Sequence, residues 1–306
     1  MNILRTAFIF TSLVCTLFVT GCSHDDDVDP DVVIQISPAN DTLFPYTSGL
    51  LSGVFDVGDN VSVRFSRGNL QYKASTNEWR LALNQYDVIG NANTTISPSN
   101  PCWIDLFSWG TSGIDSMRPP YICTVDTSYP SGYDGDDSLL LDWGYANYIS
   151  NGGRDTSWLR GLSSDQWKYL LKERYDAEKK HGLAIVEGVK GVVLLPEMWF
   201  MPDGCTFIPY TNELETLVIP NVYNKKKWTL MESHGAVFLP FAGMRLGNEV
   251  RGVNSAGYYW TSTASSNRLL CKFIIPSDKI CSKDYWYKGF AVRLVHIVSS
   301  TKNNKR

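Results

Sequence analysis

The feature of this sequence that most restricts its fold is the shortness of its regular segments. Apolar and polar residues alternate as in a strand over Val61–Phe65, residues 67–69 form a turn, and residues 70–72 resume the pattern. Residues 75–77 are a second turn, which leads into a strand at residues 79–81. Short strands joined by tight turns predict an antiparallel meander at the start of the folded region.

Two later segments carry helix signals. Ser163 is a suitable N-cap with Gln166 in the capping-box position, and the apolar spacing predicts a helix over residues 163–180 that Gly182 stops. A second helix is predicted over residues 228–234, ending at Gly235. Further strands are predicted at residues 191–196, 236–240, 258–262, 269–275 and 290–298. The prediction is an α+β domain with antiparallel sheets, two short helices and long loops.

The longest of these loops covers residues 91–157, which are rich in Gly, Ser, Pro, Asn and Asp and contain scattered tryptophans. Hydrophobic residues make up 43% of the chain and aromatic residues 13%, so a sizeable core is expected within a single domain at residues 46–298. The formal net charge of -3 provides no basic field for phosphates, and we expect no nucleic-acid partner.

The first residues have the pattern of a secretory signal. Arg5 precedes an apolar run that is too short to span a bilayer, and residues 1–21 are predicted to be removed. Residues 19–22 resemble the lipobox of bacterial lipoproteins, in which Cys22 becomes the lipidated first residue. Residues 22–45 are then an acidic lipidated tether, and residues 299–306 are a polar basic tail.

Ser23 and the aspartates that follow Cys22 resemble the surface-export signal of lipoproteins in Bacteroidetes. The resemblance implies an outer-membrane location, with the domain anchored by lipid and exposed at the cell surface. The same residues are also explained as a solvated acidic spacer, because clustered carboxylates repel one another.

The cysteines contain no C-x-x-C motif, so no zinc ribbon or thioredoxin-type site is predicted. Cys271 and Cys281 flank a turn in a predicted hairpin and are the favoured disulfide pair. Cys205 is expected to be a buried thiol.

Several blocks occur in an order typical of one protein group. They are residues 65–72, 103–110, 162–167, 191–196, 235–240, 257–262 and 289–295. Together they resemble the Bacteroidales surface lipoproteins related to the Fibrobacter major paralogous domain. That resemblance implies the C-type-lectin-like fold shared with the formylglycine-generating enzyme, a fold used for sugar binding, protein binding and oxidation chemistry alike.

The motifs of two activities of that fold are missing from the sequence. Calcium-dependent lectins use Glu-Pro-Asn or Gln-Pro-Asp followed by Trp-Asn-Asp, and here only Pro202 and Asp203 match. The oxidase needs two closely spaced cysteines, whereas Cys271 stands alone until Cys281. His181 and His234 precede glycines at predicted helix ends, where the helix dipole explains them. We therefore expect neither a metal site nor a cofactor.

The leading hypothesis is a non-enzymatic, lipid-anchored surface protein that binds a glycan or a protein, as an adhesin or recognition module. The resemblance places the contact face on the loops after Trp260 and after residue 275. The predicted contact residues are Ser265, Ser266, Asn267, Arg268, Lys272, Ser277, Lys279, Tyr285, Trp286 and Tyr287. Tyrosine and tryptophan offer broad contact area at low entropy cost, although a core role is the alternative for Trp286.

Two alternatives stay open. The first is an enzyme of the formylglycine-generating or polysaccharide-degrading type, in which Asp105, Asp115, Asp142 or Glu197 converge as paired carboxylates. The second is a hypervariable display protein of a diversity-generating retroelement, with variation confined to residues 264–288.

Three residues are predicted to be structural: Trp167, Trp260 and Arg293. In the last strand Phe290, Val292 and Leu294 point one way, while Arg293 shares the other face with apolar neighbours. An arginine in such a strand must either emerge at an edge or be paired inside the protein. Because the flanking residues are apolar on both faces, we predict a buried guanidinium bound to neighbouring loop carbonyls or to a carboxylate.

Overall fold

The computed structural model of the chain describes residues 49–94, 97–114, 118–125, 142–153, 158–210, 219–263, 269–274 and 281–298, with only the backbone for 269–274 and 281–283. The predicted signal peptide, tether and tail lie outside this range. The described part is an α+β domain with antiparallel sheets, short helices and long loops, as predicted.

The regular elements are short. The strands are β1 (Phe55–Gly58), β2 (Val61–Phe65), β3 (Leu70–Lys73), β4 (Glu78–Leu81), β5 (Trp103–Ile104), β6 (Arg160–Gly161), β7 (His181–Val186), β8 (Val189–Leu194), β9 (Asn221–Tyr223), β10 (Val237–Pro240), β11 (Met244–Leu246), β12 (Glu249–Arg251), β13 (Ala256–Trp260), β14 (Leu269–Ile274), β15 (Cys281–Lys283) and β16 (Leu294–Val298). The helices are α1 (Trp143–Ala146), α2 (Ser164–Lys168) and α3 (Lys225–Ser233).

These strands form several small sheets. Their spatial orders are β1-β2-β16-β6, β10-β8-β7-β9, β13-β14-β15 and β4-β3-β5, with β11 and β12 as a separate hairpin. The pairs within the sheets are antiparallel except for the parallel pair of β7 and β9. Of the meander predicted at the start of the domain, the antiparallel pair of β3 and β4 is present, but β2 lies in a different sheet, between β1 and β16.

The C-terminal segment holds the sheets together. Gly289 exchanges backbone hydrogen bonds with Arg245, and Phe290 does so with Phe107. Farther along, Val292 O accepts from Leu70 N, and β16 then pairs with β2. One extended segment therefore contacts elements from the beginning, the middle and the end of the domain.

The alternation predicted for this segment is confirmed. Phe290, Val292 and Leu294 pack in an aromatic core that also contains Trp109, Trp143 and Trp260. Ala291 and Val295 pack in a second core around Phe65 and Trp167. Regular pairing of β16 begins only at Leu294, so the predicted strand over residues 290–298 is partly a run of isolated bridges.

The residues predicted to be structural are buried. Trp167 lies between Phe65 and Tyr259, with ring centroids 6.0 Å and 6.3 Å away. Trp260 Nε1 donates to Phe107 O. Arg293 is buried, and it donates through Nε to Asn69 Oδ1 at 3.0 Å, as expected of a guanidinium that must be paired.

The prediction of a continuous helix over residues 163–180 is wrong beyond its first turns. The capping box of Ser163 and Gln166 is present, and α2 continues as a π-helical turn over Tyr169–Glu173. Arg174 then leaves the helix with an extended backbone, because its guanidinium bonds Glu197 Oε1 at 2.8 Å. The residues that follow make a short 3-10 turn, and β7 begins at His181.

The structure differs from the predictions in two other helical segments. Helix α3 begins at Lys225, earlier than predicted, because the side chain of Asn224 accepts the Lys227 N–H and caps the helix. It ends before Gly235, which has a positive φ of 97°. Helix α1 lies in the segment predicted as loop, and Asp142 caps it by accepting from Gly144 N.

Candidate functional site

The predicted contact residues whose side chains the structure describes lie in the turn of residues 284–288. We call this turn the tyrosine turn. Lys288 N donates to Tyr285 O at 3.2 Å, and the Lys288 ammonium pairs with the Asp284 carboxylate at 2.6 Å. The ring of Tyr285, which is 57% exposed, stacks on Tyr287 with centroids 5.3 Å apart. The turn therefore presents two aligned phenol rings close to a cation.

The backbone of the tyrosine turn is fixed to the aromatic core. Trp286 O accepts from Trp109 N at 2.8 Å, and Tyr287 O accepts from Ser108 Oγ at 2.9 Å and from Cys123 Sγ at 3.3 Å. Trp286 is half-buried against this core. That position favours the core role for Trp286 and leaves Tyr285 and Tyr287 as the predicted contact residues of this turn.

The other predicted contact residues are not described with side chains. Ser265, Ser266, Asn267, Arg268, Ser277 and Lys279 lie outside the described residues. Lys272 lies on β14, where its backbone is opposite Tyr258 of β13. Strands β14 and β15 form the predicted hairpin, and β15 ends directly before the tyrosine turn.

The cysteines are in two classes. Cys123 and Cys205 are buried free thiols, which confirms the prediction for Cys205. Cys271 and Cys281 are direct partners in the register of β14 and β15, an arrangement close enough for a disulfide. Their side chains lie outside the described part, so that disulfide stays a prediction. Cys102 is disulfide-bonded. Because Cys123 and Cys205 are free thiols, its partner is not among the other cysteines whose side chains are described.

Sequence reasoning missed Arg245, which is fully buried next to the tyrosine turn. Its Nε donates to Gly247 O at 3.0 Å, but within the described residues neither Nη atom has a hydrogen-bond partner. Burial lowers the pKa of Arg245, while the nearby Cys123 raises it. The signal in the sequence was a single charged residue between the apolar residues Met244 and Leu246. In the structure these three residues form strand β11.

The carboxylates considered for catalysis have separate structural partners. Asp105 accepts from Asn93 Nδ2 at 2.8 Å and from Ile89 N at 3.1 Å. Asp142 accepts from Gly144 N and, at 2.7 Å, from Gly161 N. Burial raises the pKa of each of these two carboxyl groups to about 6.

The other two carboxylates of that set do not join them. Glu197 bridges Arg174 and Lys180, and it also accepts from Asp56 N, so it is an ion-pair centre. Although burial opposes the effect, the hydrogen bonds from Lys180 and Arg174 lower the pKa of Glu197. Asp115 lies outside the described residues.

The histidines are accounted for by local contacts. His234 lies at the C-cap of α3 and contacts Leu230 O, as the dipole argument predicts. His181 is at the start of β7 and not at a helix end, and its ring contacts Ala177 O of the preceding 3-10 turn. His296 stacks on Trp158 at 3.5 Å. No group of three or more potential metal ligands occurs among the described residues.

Comparisons with known proteins add no relative. No protein family, no curated protein and no solved structure matches this chain. Among the described residues, no helix is both long enough and apolar enough to cross a membrane.

Proposed function

We propose that the protein is a non-enzymatic, lipid-anchored binding protein of the outer cell surface, whose ligand is a glycan or a protein. We also propose that its domain has the C-type-lectin-like fold that its sequence blocks resemble. The membrane is the partner of the lipid on Cys22, and the extracellular ligand is the partner of the folded domain.

The observation that carries this proposal is the stack of the exposed Tyr285 ring on the half-buried Tyr287 ring, on a fixed turn. The outer face of the exposed Tyr285 ring offers a flat surface to a sugar face or to an apolar side chain, Tyr287 supports that ring from behind, and the hydroxyls provide polar contacts. Because the backbone is already bound by Trp109 and Ser108, little conformational entropy is lost when a ligand is bound.

The test is a glycan array together with a pulldown from host and bacterial surface extracts, using the mature chain. The Tyr285→Ala, Tyr287→Ala double variant should weaken binding of any captured ligand at least tenfold, because aromatic contact residues contribute roughly 1–2 kcal/mol each. Tyr148→Ala is the matched control, since Tyr148 is also an exposed tyrosine but lies beside α1.

Two results would contradict the proposal. A folded sample that captures nothing in both screens would exclude a glycan or protein ligand of useful affinity. A captured ligand whose affinity falls equally in the double variant and in Tyr148→Ala would exclude the tyrosine turn as the contact site.

A further inference from the structure

The loop between β8 and β9 exposes several large apolar side chains. Met198 is 78% exposed, Phe200 72% and Met201 41%. Between them, Trp199 is half-buried against the core that contains Trp228 and Phe238. The loop is therefore anchored from beneath, and the exposure of its neighbours results from a fixed conformation.

The loop runs along helix α3. The ring of Trp199 is 6.4 Å from that of His234 at one end of the helix, and Cys205 Sγ contacts Lys227 O at the other end. These two helix residues are two turns apart, about 10 Å along the axis. Leu230 lies between them on the same helix face and is 38% exposed. We call Met198, Phe200, Met201 and Leu230 the apolar surface.

A basic cluster borders the apolar surface. Lys225, Lys226 and Lys227 are consecutive exposed residues in the first turn of α3. Among the described residues, the acidic groups nearby are Asp203, which is exposed in the loop, Glu187, which accepts a hydrogen bond from Lys225 N, and Glu232 of α3, which is half-buried and hydrogen-bonded. Apolar side chains beside exposed lysines are a combination that binds the interface of an anionic membrane.

Gly53, four residues after the start of the described chain, lies beside the C-terminal end of α3. Gly53 packs so closely on Gly235, directly after α3, that a Cβ at Gly53 would lie 2.2 Å from Gly235 O. Val54 O accepts a hydrogen bond from Glu197 N, immediately before Met198. Gly53 and Val54 therefore lie next to the apolar surface, whereas the described chain begins at Gly49, which packs against Asn151.

We propose that the apolar surface and its basic cluster rest on an anionic membrane, with Met198, Phe200 and Met201 inserted at the headgroup level. The proposal extends the proposed lipid anchor at Cys22 and rests on it for the choice of occupant. A lipid on the same chain would hold the domain near the bilayer, so an anchored domain would meet the membrane far more often than any dissolved partner.

The test uses unlipidated mature chain, made with Cys22→Ser, and vesicles of phosphatidylethanolamine with phosphatidylglycerol. Cosedimentation should be clear with these vesicles, weaker at high salt, and weaker with neutral phosphatidylcholine vesicles. Met198→Ser with Phe200→Ser should lower the partition coefficient at least tenfold. Lys226→Glu with Lys227→Glu should lower it by a similar factor on anionic vesicles only, since each lysine contributes about fivefold.

Tyr148→Ser and Arg251→Glu are matched controls, because they remove an exposed aromatic ring and reverse an exposed positive charge elsewhere in the domain. Wild-type protein that does not sediment with anionic vesicles would overturn the proposal. So would a self-association in solution that Phe200→Ser abolishes, because the occupant would then be a second copy of the chain. Absence of lipid on Cys22, measured by mass spectrometry of cell-derived protein, would refute the anchor and leave the vesicle result standing.

Discussion

Arg293→Ala is the substitution whose consequence follows most directly from the structure. The buried guanidinium donates through Nε to Asn69 Oδ1, through Nη1 to Ser66 O at 3.0 Å, and through Nη2 to Phe238 O at 2.6 Å. It thereby ties the last segment of the chain to the turn after β2 and to β10. Removing it leaves three buried acceptors without a donor.

The size of the effect depends on opposing contributions. Each unpaired buried acceptor costs about 1–2 kcal/mol, and the emptied volume adds about 1–2 kcal/mol. Against this, burial lowers the pKa of Arg293 to about 10, so keeping the guanidinium charged already costs roughly 3 kcal/mol, which the substitution returns. We expect a net loss of about 3 kcal/mol in the free energy of unfolding, the middle of the range of about 1–5 kcal/mol that these contributions give.

Thermal and urea denaturation of the mature chain measure this loss. For a domain of this size it corresponds to a decrease of roughly 5–15 °C in Tm. Arg293→Met, which fills most of the volume, should recover only part of it, because the acceptors stay unpaired. Arg251→Ala, at an exposed position on β12, is the control and should change stability by less than about 0.5 kcal/mol. An Arg293→Ala melt that matches this control would refute the assignment of Arg293 as a buried cross-link.

Further predictions concern the other buried groups. Arg245→Met should leave stability unchanged or raise it by about 1 kcal/mol in the same melts, because neither Nη atom of the buried guanidinium has an acceptor among the described residues. A loss as large as that of Arg293→Met would contradict this prediction. Burial raises the pKa of Asp142 to about 6, so the folded state binds the carboxyl proton more tightly than the unfolded state does. The protonated carboxyl group therefore stabilises the folded state at low pH, and this stabilisation is lost as the pH rises through about 6. Relative to Asp142→Asn, the wild type should therefore gain about 1 kcal/mol between pH 7 and pH 5 in urea titrations, and a constant difference would exclude the shift. Cys102 is disulfide-bonded while Cys123 and Cys205 are free, so non-reducing peptide mapping of the mature chain should recover Cys102 linked to Cys271 or to Cys281. Recovery of Cys271 linked to Cys281 would instead confirm the pairing predicted from the sequence.

The parts of the fold that sequence patterns predicted are those governed by local rules. The capping box at Ser163 depends on residues three apart. The alternation of the last segment depends on the two-residue period of extended backbone, and it assigned Phe290 and Ala291 to their separate cores. The pairing of Arg293 followed from the cost of burying a charge, although its partners Asn69 and Ser66 were not identifiable from pattern alone.

The failed helix prediction shows where local rules end. Lys179 and Lys180 suggested the last turn of a helix, because cations suit the negative end of the dipole. In the structure, Arg174 and Lys180 instead bind Glu197, which is distant in sequence. A paired, largely buried guanidinium such as that of Arg174 outweighs the weak preference of a few residues for continued helix.

The apolar surface was hidden from sequence reasoning for a related reason. Consecutive Met198, Trp199 and Phe200 are the composition of a core segment, and only tertiary packing decides that Trp199 turns inward while its neighbours stay exposed. Its position beside Gly53 depends on the contact of Gly53 with Gly235, which lie far apart in sequence. A domain held at the membrane by both a tether and this surface loses rotational freedom once, before any ligand arrives. The tyrosine turn would then be presented in one orientation, and ligand binding would not lose the rotational entropy of the domain a second time.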